Sequence, residues 1–341
     1  LEPLEKLTNL KQLTLFLDDY FFEESKANNL DILAKLSEQG RVSIAITIRP
    51  MSNLAPLEKL SNLAQLTLDL EGNERISDLE PLSKLYNLNQ LTLHLRGSKV
   101  GNLDALSKLN NLNQLTLYLE GNDQVSDLMP LSKLNNLSQL TLYLRGTKVG
   151  NLEPLSKLDH LKRLTLDLRY TTVEGLGPLA KLSDLTELTL DIGYSNVSVR
   201  HFESMGRLSN LRQLTLALSL HQLSDLETLV KLSNLTKLIL QFGGVEVVTP
   251  SQVNRLEPLT KLNNLNQFML KLGTRYVDDI APLASLSNLT QLDLNLDLSR
   301  VRSLEPLSKL THLRSLSIER VDKEQRLSLR NLPASVVELK F

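Results

Sequence analysis

The sequence predicts an α/β solenoid, in which each copy of one repeated unit adds a strand to a parallel β-sheet and a short helix or 3₁₀ turn to the opposite side. Three observations lead to this prediction. A leucine-rich motif returns every 24 or 25 residues through most of the 341-residue chain, leucine alternates with polar residues within each copy, and proline stands at a fixed place in most copies. Because sequential copies leave no boundary for a second domain, we expect residues 1–341 to form a single domain.

The repeat is visible in successive stretches of the sequence. LEPLEKLTNLKQLTL at the start of the chain returns as LAPLEKLSNLAQLTL, LEPLSKLYNLNQLTL and LDALSKLNNLNQLTL. A degenerate copy near Leu329 predicts a C-terminal cap over residues 327–341. The first residue of the L-x-P-L block marks thirteen copies, at Leu1, Leu30, Leu54, Leu79, Leu103, Leu128, Leu152, Leu176, Phe202, Leu226, Leu256, Ile280 and Leu304.

Each copy contains the segment QLTLxL, whose period of two is typical of a half-buried strand. Leu66, Leu68 and Leu70 should point to the core, and the polar residues between them should point away. Successive strands should pair in parallel, because each follows its predecessor after the same return. A single copy cannot bury its one layer of leucines alone, so stacking of neighbours is required to build the core.

The return segment L-x-P-L-x-K-L is expected to begin with a short helix. Pro81 and Pro130 suit a first helical turn, where the missing N–H is not needed, and Asp78 and Asp127 precede these turns as candidate caps. An asparagine such as Asn87 closes the return and is predicted to bond the local backbone. His160 and His312 occupy the same place and are interpreted as turn substitutions.

This repeat resembles the leucine-rich repeat family, whose pattern is L-x-x-L-x-x-L-x-x-L-x-L, over essentially the whole chain. The wording D-L-x-P-L-x-x-L-x-x-L-x-x-L-T-L, for example from Asp78 to Leu93, is most similar to the bacterial, internalin-like class. The resemblance implies a horseshoe of about 13–14 repeats, with a concave parallel sheet and short convex helices or 3₁₀ turns. One departure concerns the family's usual Asn after the strand, since two copies carry Gly97 and Gly146 near that place.

Three intervals exceed the period, which predicts extra loops near residues 18–29, 193–201 and 243–255. Inserted loops often form the binding edge of a repeat array. The first loop contains the aromatic residues Tyr20, Phe21 and Phe22. They are interpreted either as a hydrophobic cover over the open N-terminal end or as a contact patch for a partner or a preceding domain.

Equivalent exposed residues of stacked strands should form columns along the concave face. Columns of Gln and Thr are nearly uniform and are interpreted as scaffold. The next column varies, and it places His94, Tyr118 and Tyr143 on consecutive strands between Asp69 and Asp167. Such an exposed aromatic cluster is typical of recognition surfaces. The alternative is that the aromatic residues only stabilise the sheet by cross-strand contact.

A further column carries charges whose signs alternate through Arg96, Glu120 and Arg145. A ladder of exposed ion pairs is the default expectation. Arg169 follows Arg145 and breaks the alternation. Together with Arg163, these arginines form a candidate site for an acidic group of a partner.

Composition and motifs exclude several classes of function. Lys plus Arg number 38 against 39 for Asp plus Glu, so no global field favours nucleic acid or an anionic membrane. The chain has no Cys, no apolar run near the length of a membrane span and no metal or catalytic motif. GLGPLA, at 175–180, formally fits a dinucleotide-binding pattern but occupies an ordinary repeat slot. We therefore expect no cofactor and no bound metal.

The sequence favours a non-enzymatic module that recognises a protein or peptide on the concave sheet. The predicted site comprises Asp69, His94, Arg96, Tyr118, Glu120, Tyr143, Arg145, Arg163, Asp167 and Arg169. Two alternatives stay open, a purely structural spacer and an enzyme that uses the carboxylates of Asp167 and Asp191. The resemblance implies a sensor, effector or signalling protein of larger size, which the start within a repeat also favours. The lack of Cys-rich caps and of a signal segment favours a bacterial or intracellular setting.

Overall fold

A computed structural model of the chain describes residues 12–17, 35, 43–48, 53–197, 202–243, 256–272, 277–296, 301–319, 325 and 329–340. The chain divides into two compact units, Leu1–Glu174 and Gly175–Phe341. The predicted loop at 18–29, with Tyr20, Phe21 and Phe22, lies outside the described residues, as do residues 198–201 of the second predicted loop and residues 244–255 of the third. The single domain over residues 1–341 stays a prediction.

The first unit contains seven described strands, each paired in parallel with its neighbours in chain order. Five of them have the same five-residue length, because they come from the same segment of the repeat. The strands are β1 Gln12–Leu17, β2 Ser43–Ile48, β3 Gln65–Asp69, β4 Gln90–His94, β5 Gln114–Tyr118, β6 Gln139–Tyr143 and β7 Arg163–Asp167.

The second unit repeats this arrangement with seven further described strands, and its described elements include the short helix α1 Phe202–Met205. Its strands also pair in parallel with their neighbours in chain order. They are β8 Glu187–Asp191, β9 Gln213–Leu218, β10 Lys237–Phe242, β11 Gln267–Leu272, β12 Gln291–Asn295, β13 Ser315–Glu319 and β14 Glu338–Lys340. The last of these, β14, lies within the predicted C-terminal cap.

The returns between strands contain 3₁₀ helices, and most of them are five residues long. In the first unit these helices are Ala55–Lys59, Glu80–Lys84, Asp104–Lys108, Met129–Lys133 and Glu153–Lys157. In the second unit they are Gly177–Lys181, Leu220–Lys231, Glu257–Lys261, Ala281–Ser285, Glu305–Lys309 and Leu329–Asn331. The predicted α/β solenoid of parallel strands and short 3₁₀ turns is confirmed.

Side chains before the helices satisfy the first free backbone N–H groups, as the sequence predicts. The carboxylate of Asp78 accepts a hydrogen bond from the N–H of Glu80 at 2.8 Å. Asp127 accepts one from the N–H of Met129 at the same distance. These bonds matter because the first N–H groups of a helix have no partner within it.

The core consists of the leucines that the repeat pattern places inward. Leu91, Leu93 and Leu95 of one copy are at most 1% exposed, and the leucines of the 3₁₀ helix, such as Leu82, are fully buried. The alternation of buried and half-buried residues along β3, β4, β5 and β6 follows the period of two. The strand therefore presents the polar half of its residues on the face away from the core.

One register differs from the sequence alignment of the copies. The QLTLxL segments align Phe16 with Asp69, but Thr47, which lies on the strand between them, has Phe16 on β1 and Thr67 on β3 as its Cα partners. The pairing of β2 with β3 is therefore shifted by two residues relative to the alignment of the copies. A shift of two keeps every residue on the same face of the sheet, so the buried set is preserved.

The asparagine that closes each return bonds the preceding repeat, and the prediction of a purely local bond is wrong. Asn111 Nδ2 donates to the carbonyl of Tyr86 at 3.0 Å, and Asn136 Nδ2 donates to that of Asn110 at 2.7 Å. In the second unit His312 takes the same role, with Nδ1 lying 2.9 Å from the carbonyl oxygen of Ser287. Such a short side chain can reach the preceding repeat because neighbouring turns stack at the spacing of the strands.

Candidate functional site

The aromatic residues predicted to form a cluster lie stacked on one another in the first unit. His94 pairs with Tyr118 across β4 and β5, and Tyr118 pairs with Tyr143 across β5 and β6. The ring centroids of His94 and Tyr118 are 4.3 Å apart with an interplanar angle of 5°. Those of Tyr118 and Tyr143 are 4.7 Å apart at 11°. We call these three residues the aromatic stack.

Stacking decides which atoms of these rings are available to a ligand. The spacing of the rings matches the strand spacing of about 4.8 Å, so each ring face covers the next. The ring edges, the imidazole nitrogens and the phenol oxygens are then the groups that a partner can reach. The aromatic stack is therefore better suited to polar contacts and edge contacts than to receiving a flat group on an open ring face.

Tyr143 differs electrostatically from an ordinary tyrosine. Burial raises the pKa of its phenol, and the neighbouring Tyr118, Glu120 and Asp167 raise it further because they disfavour a second negative charge. The phenol thus stays a hydrogen-bond donor over the whole neutral and mildly alkaline range.

The two aspartates that flank the aromatic stack bind their own chain. Asp69 accepts a hydrogen bond from the N–H of Glu71 at 3.1 Å. Asp167, only 4% exposed, accepts from both the N–H and the Nε of Arg169, at 3.1 and 2.9 Å, and its second oxygen accepts from Arg169 Nη2. Both carboxylates therefore help to fix the turn that follows the strand.

The expected ladder of ion pairs forms at one step only among the described residues of the charged column. Arg96 Nη1 lies 3.7 Å from Glu71 Oε1, and both side chains are well exposed. Glu120 and Arg145 belong to no ion pair with a described residue, and Glu120 Oε2 is buried without a hydrogen-bond partner. An exposed pair contributes less than about 1 kcal/mol, which is too little to fix long side chains at every step.

A left-handed turn follows each residue of the charged column. In four copies the residue at this turn is glycine, with φ between 59° and 69°, at Gly72, Gly97, Gly121 and Gly146. In the copy that ends the first unit it is Tyr170, with φ 55°. A Cβ atom built on any of the four glycines would meet nothing within 4 Å. The position is thus open to solvent and constrained only by its backbone.

Arg145 and Tyr170 form the wall of a cavity at the carboxyl ends of these strands. The guanidinium carbon of Arg145 lies 5.3 Å from the centre of the Tyr170 ring. The cavity has a volume of about 450 Å³. We call it the arginine–tyrosine pocket, and it is lined by Arg96, Glu120, Gly121, Arg145, Gly146, Arg169 and Tyr170.

The structure separates the arginines that the sequence grouped. Arg163 begins β7, whereas Arg169 follows the end of that strand. Six residues of extended chain correspond to about 20 Å, so the two side chains start from opposite ends of the strand. Arg163 does not line the arginine–tyrosine pocket.

Tyr170 is the residue of this surface that sequence reasoning missed. A signal for it was present, because alignment of the copies places Tyr170 under Gly72, Gly97, Gly121 and Gly146. A tyrosine in a glycine column marks a side chain that the turn itself does not require.

Comparisons with solved structures identify the fold. An internalin of Listeria monocytogenes has a TM-score of 0.66 and 23% sequence identity with this chain, and the match covers 93% of this chain and 88% of that one. A leucine-rich repeat protein of Leptospira interrogans has a TM-score of 0.52 and 16% identity, and the match covers 98% and 91%. The chain has the leucine-rich repeat fold. No protein-family model matches the sequence, and none of the curated proteins does.

The sequence indicated that the Asn usual after the strand in leucine-rich repeats is missing from its place. The structure shows that at least one copy keeps an Asn there, one residue after the left-handed glycine. Asn122 follows the left-handed Gly121 and is fully buried. Its Nδ2 donates to the carbonyls of Leu95 and Val100 in the preceding copy, at 3.1 and 3.0 Å. Its Oδ1 accepts from the N–H groups of Gln124 and Val125.

The copies without this Asn use a hydroxyl instead. Thr147 Oγ1 donates to the carbonyl of Leu144 at 2.8 Å, and Thr171 Oγ1 donates to that of Leu168 at 2.7 Å. Both threonines are buried. Asparagine in some copies and a hydroxyl residue in others thus satisfy the loop backbone of the leucine-rich repeats.

Neither a metal site nor a membrane span is found in the part of the chain that the structure describes. No group of three or more His, Asp or Glu side chains there could hold a metal ion. None of the described helices has the length and the apolar character needed to cross a bilayer. A cavity of about 700 Å³ lies in the second unit against the 3₁₀ helices Ala281–Ser285 and Glu305–Lys309, and its wall mixes acidic and basic residues.

Proposed function

We propose that this chain is a non-enzymatic recognition module that binds a protein or peptide on the exposed sheet face of the first unit, between Asp69 and Arg169. The aromatic stack carries this proposal. It places three aromatic side chains, each half-buried, on a surface whose neighbouring positions are polar or charged. Tyrosine in particular is enriched at binding hot spots, because it combines a large apolar ring with a hydrogen-bonding group.

The backbone under the aromatic stack supports the proposal through its rigidity. Parallel pairing continues past the strands, since the N–H of Leu95 donates to the carbonyl of Tyr118 at 2.7 Å and that of Leu119 donates to Tyr143 at 2.9 Å. A partner therefore meets side chains whose main-chain positions are already fixed. Such preorganisation reduces the entropic cost of binding.

The alternative is a structural spacer, and one observation favours it. The rings cover one another's faces, which is also the arrangement expected if they only stabilise the sheet. The flanking Asp69 and Asp167 likewise bind their own backbone. A spacer needs the fold but not the identity of the exposed side chains, and an experiment can separate the two hypotheses on this basis.

The test is a selection of displayed random peptides on the purified chain. The selected peptides are then titrated against the double variant Tyr118→Ala/Tyr143→Ala and against Tyr86→Ala. Tyr86 is 53% exposed and lies in a return, away from the strands. We expect the double variant to bind at least about tenfold more weakly, because two hot-spot rings are lost, and Tyr86→Ala to bind like the wild type. Equal binding by the wild type and both variants would reject this placement of the site and leave the spacer hypothesis.

A further inference from the structure

Tyr170 adopts a backbone conformation that a tyrosine rarely takes. The other left-handed turns of the first unit use glycine, and Tyr170 takes the same turn with φ 55°. A bulky residue in this region is strained, and such strain collects at functional sites. The residue is 53% exposed, and a Cβ atom built on the equivalent Gly146 would meet nothing within 4 Å. The turn itself therefore does not require this side chain.

The ring of Tyr170 supports a guanidinium. The guanidinium carbon of Arg145 lies 5.3 Å from the ring centre, which is within the range of a cation–π contact. The main chain of Arg145 is fixed as well, since its carbonyl accepts a hydrogen bond from the N–H of Gly121 at 2.9 Å. Arg145 is thus preorganised at both its backbone and its head group.

Among the three arginines that line the arginine–tyrosine pocket, Arg145 is the one without an ion pair to a described residue. Arg96 pairs with Glu71, and Arg169 pairs with Asp167. Arg145 has no ion pair with any residue that the structure describes. Glu120 is the acidic residue of the lining, and one of its oxygens is shielded from solvent. The pocket therefore presents one guanidinium that has no ion pair with a described residue, next to an exposed aromatic ring.

We propose that the arginine–tyrosine pocket binds the carboxylate of an aspartate or glutamate side chain of the partner peptide. Arg145 donates two parallel hydrogen bonds to the carboxylate, and Tyr170 holds the guanidinium in place. A single carboxylate matches the one guanidinium of the lining that has no ion pair with a described residue. A phosphate group, with a charge of about −1.5 to −2, exceeds it. This inference rests on the proposed function and specifies the chemistry of its partner.

The test uses fluorescein-labelled decaglutamate, with decaglutamine as the neutral probe of equal length, in fluorescence anisotropy titrations of the full chain. We expect the wild type to bind decaglutamate at least about tenfold more tightly than decaglutamine, and added salt to weaken the difference. Arg145→Ala and Tyr170→Gly should each remove about tenfold of the affinity for decaglutamate. Tyr170→Phe should retain it, because the ring is kept, and Arg145→Lys should lose most of it, because the planar fork is lost.

Arg75→Ala serves as the matched control, since Arg75 is exposed in a loop of the same unit and does not line the pocket. Decaglutamate binding that is equal to decaglutamine binding, or that is unchanged in Arg145→Ala, overturns the proposal. Tighter binding of a phosphoserine decapeptide than of decaglutamate overturns the choice of carboxylate. Folding does not confound the result, because glycine takes the same turn at Gly72, Gly97, Gly121 and Gly146.

The two experiments distinguish failure of the carboxylate site from failure of the proposed function. Selected peptides that need Tyr118 and Tyr143 but not Arg145 would keep recognition on the sheet face and reject the acidic pocket. Decaglutamate binding that needs Arg145 but tolerates Tyr118→Ala/Tyr143→Ala would keep the pocket and reject the aromatic stack as the docking surface.

Discussion

The guanidinium of Arg145 lies over the ring of Tyr170, 5.3 Å from its centre, although the two residues belong to successive repeats. The contact exists because Tyr170 takes the left-handed turn that glycine takes in the copies before it. The ring thereby lies beside Arg145, which directly precedes the equivalent turn at Gly146. The replacement of glycine by tyrosine at this one position thus creates a cation–π pair. The described copies with glycine at the equivalent position cannot make it.

Replacement of Tyr170 should reveal the strain of its turn. We expect Tyr170→Gly to be more stable than Tyr170→Ala by about 0.5–1 kcal/mol, because alanine keeps the left-handed strain and glycine does not. Neither variant has the ring, so the comparison removes the contact with Arg145 from both. The measurement is the free energy of urea unfolding. An alanine variant as stable as the glycine variant would show that the turn is not strained.

Asn122 should be far more important for stability than the asparagines at the surface. Asn122→Ala removes four hydrogen bonds to backbone groups, three of them buried, so we expect a loss of about 2–4 kcal/mol in the free energy of unfolding. Asn136→Ala is the matched control, since it removes one exposed bond to Asn110 and should cost about 1 kcal/mol or less. Urea unfolding of both variants decides the point, and equal losses would contradict the prediction.

His312 should be replaceable by asparagine. Its ring nitrogen contacts the carbonyl of Ser287, and in the preceding copy Asn288 donates to Asn263 in the same way. We therefore expect His312→Asn to retain stability within about 0.5 kcal/mol and His312→Ala to lose about 1 kcal/mol. Thermal and urea unfolding check this order. The prediction fails if asparagine destabilises the chain as much as alanine does.

Tyr143 should ionise above the ordinary tyrosine range. Because its pKa is raised in the folded state, its contribution to stability is fully present below pH 10 and is lost as the pH rises through the folded-state value. The measurement is the tyrosinate absorption that disappears in Tyr143→Phe. Glu120→Gln removes one of the negative neighbours, so the pKa of Tyr143 should move back toward its usual range. An unchanged pKa in that variant would show that Glu120 does not contribute to the raised pKa of Tyr143.

Local periodicity made much of the fold and part of the site predictable. The alternation in QLTLHL assigns Leu91 and Leu93 to the core, and the structure buries both. The identical spacing of the copies places His94, Tyr118 and Tyr143 in one column, and they lie stacked on consecutive strands. These predictions succeed because side-chain direction in a strand depends only on the parity of the position.

Predictions about where long polar side chains point were less successful. Asn111 reaches the preceding repeat and not its own turn, Arg169 turns back to Asp167, and Glu120 forms no ion pair with a described residue. A rotamer of a long side chain is decided by differences of about 1 kcal/mol or less between competing partners. Sequence periodicity contains no information about that competition.

By itself the sequence determined the repeated strand and turn, the leucine core and the order of the exposed columns, because each follows from the spacing of residues along one chain. Only the tertiary structure decided that Tyr170 takes the glycine turn, that Arg145 lies over its ring and that Asn122 binds the loop before it. These relationships join residues of successive repeats whose distance depends on how closely the backbones stack. That distance is fixed by the packing of the leucines and the hydrogen bonds between strands, which exist only in the folded chain.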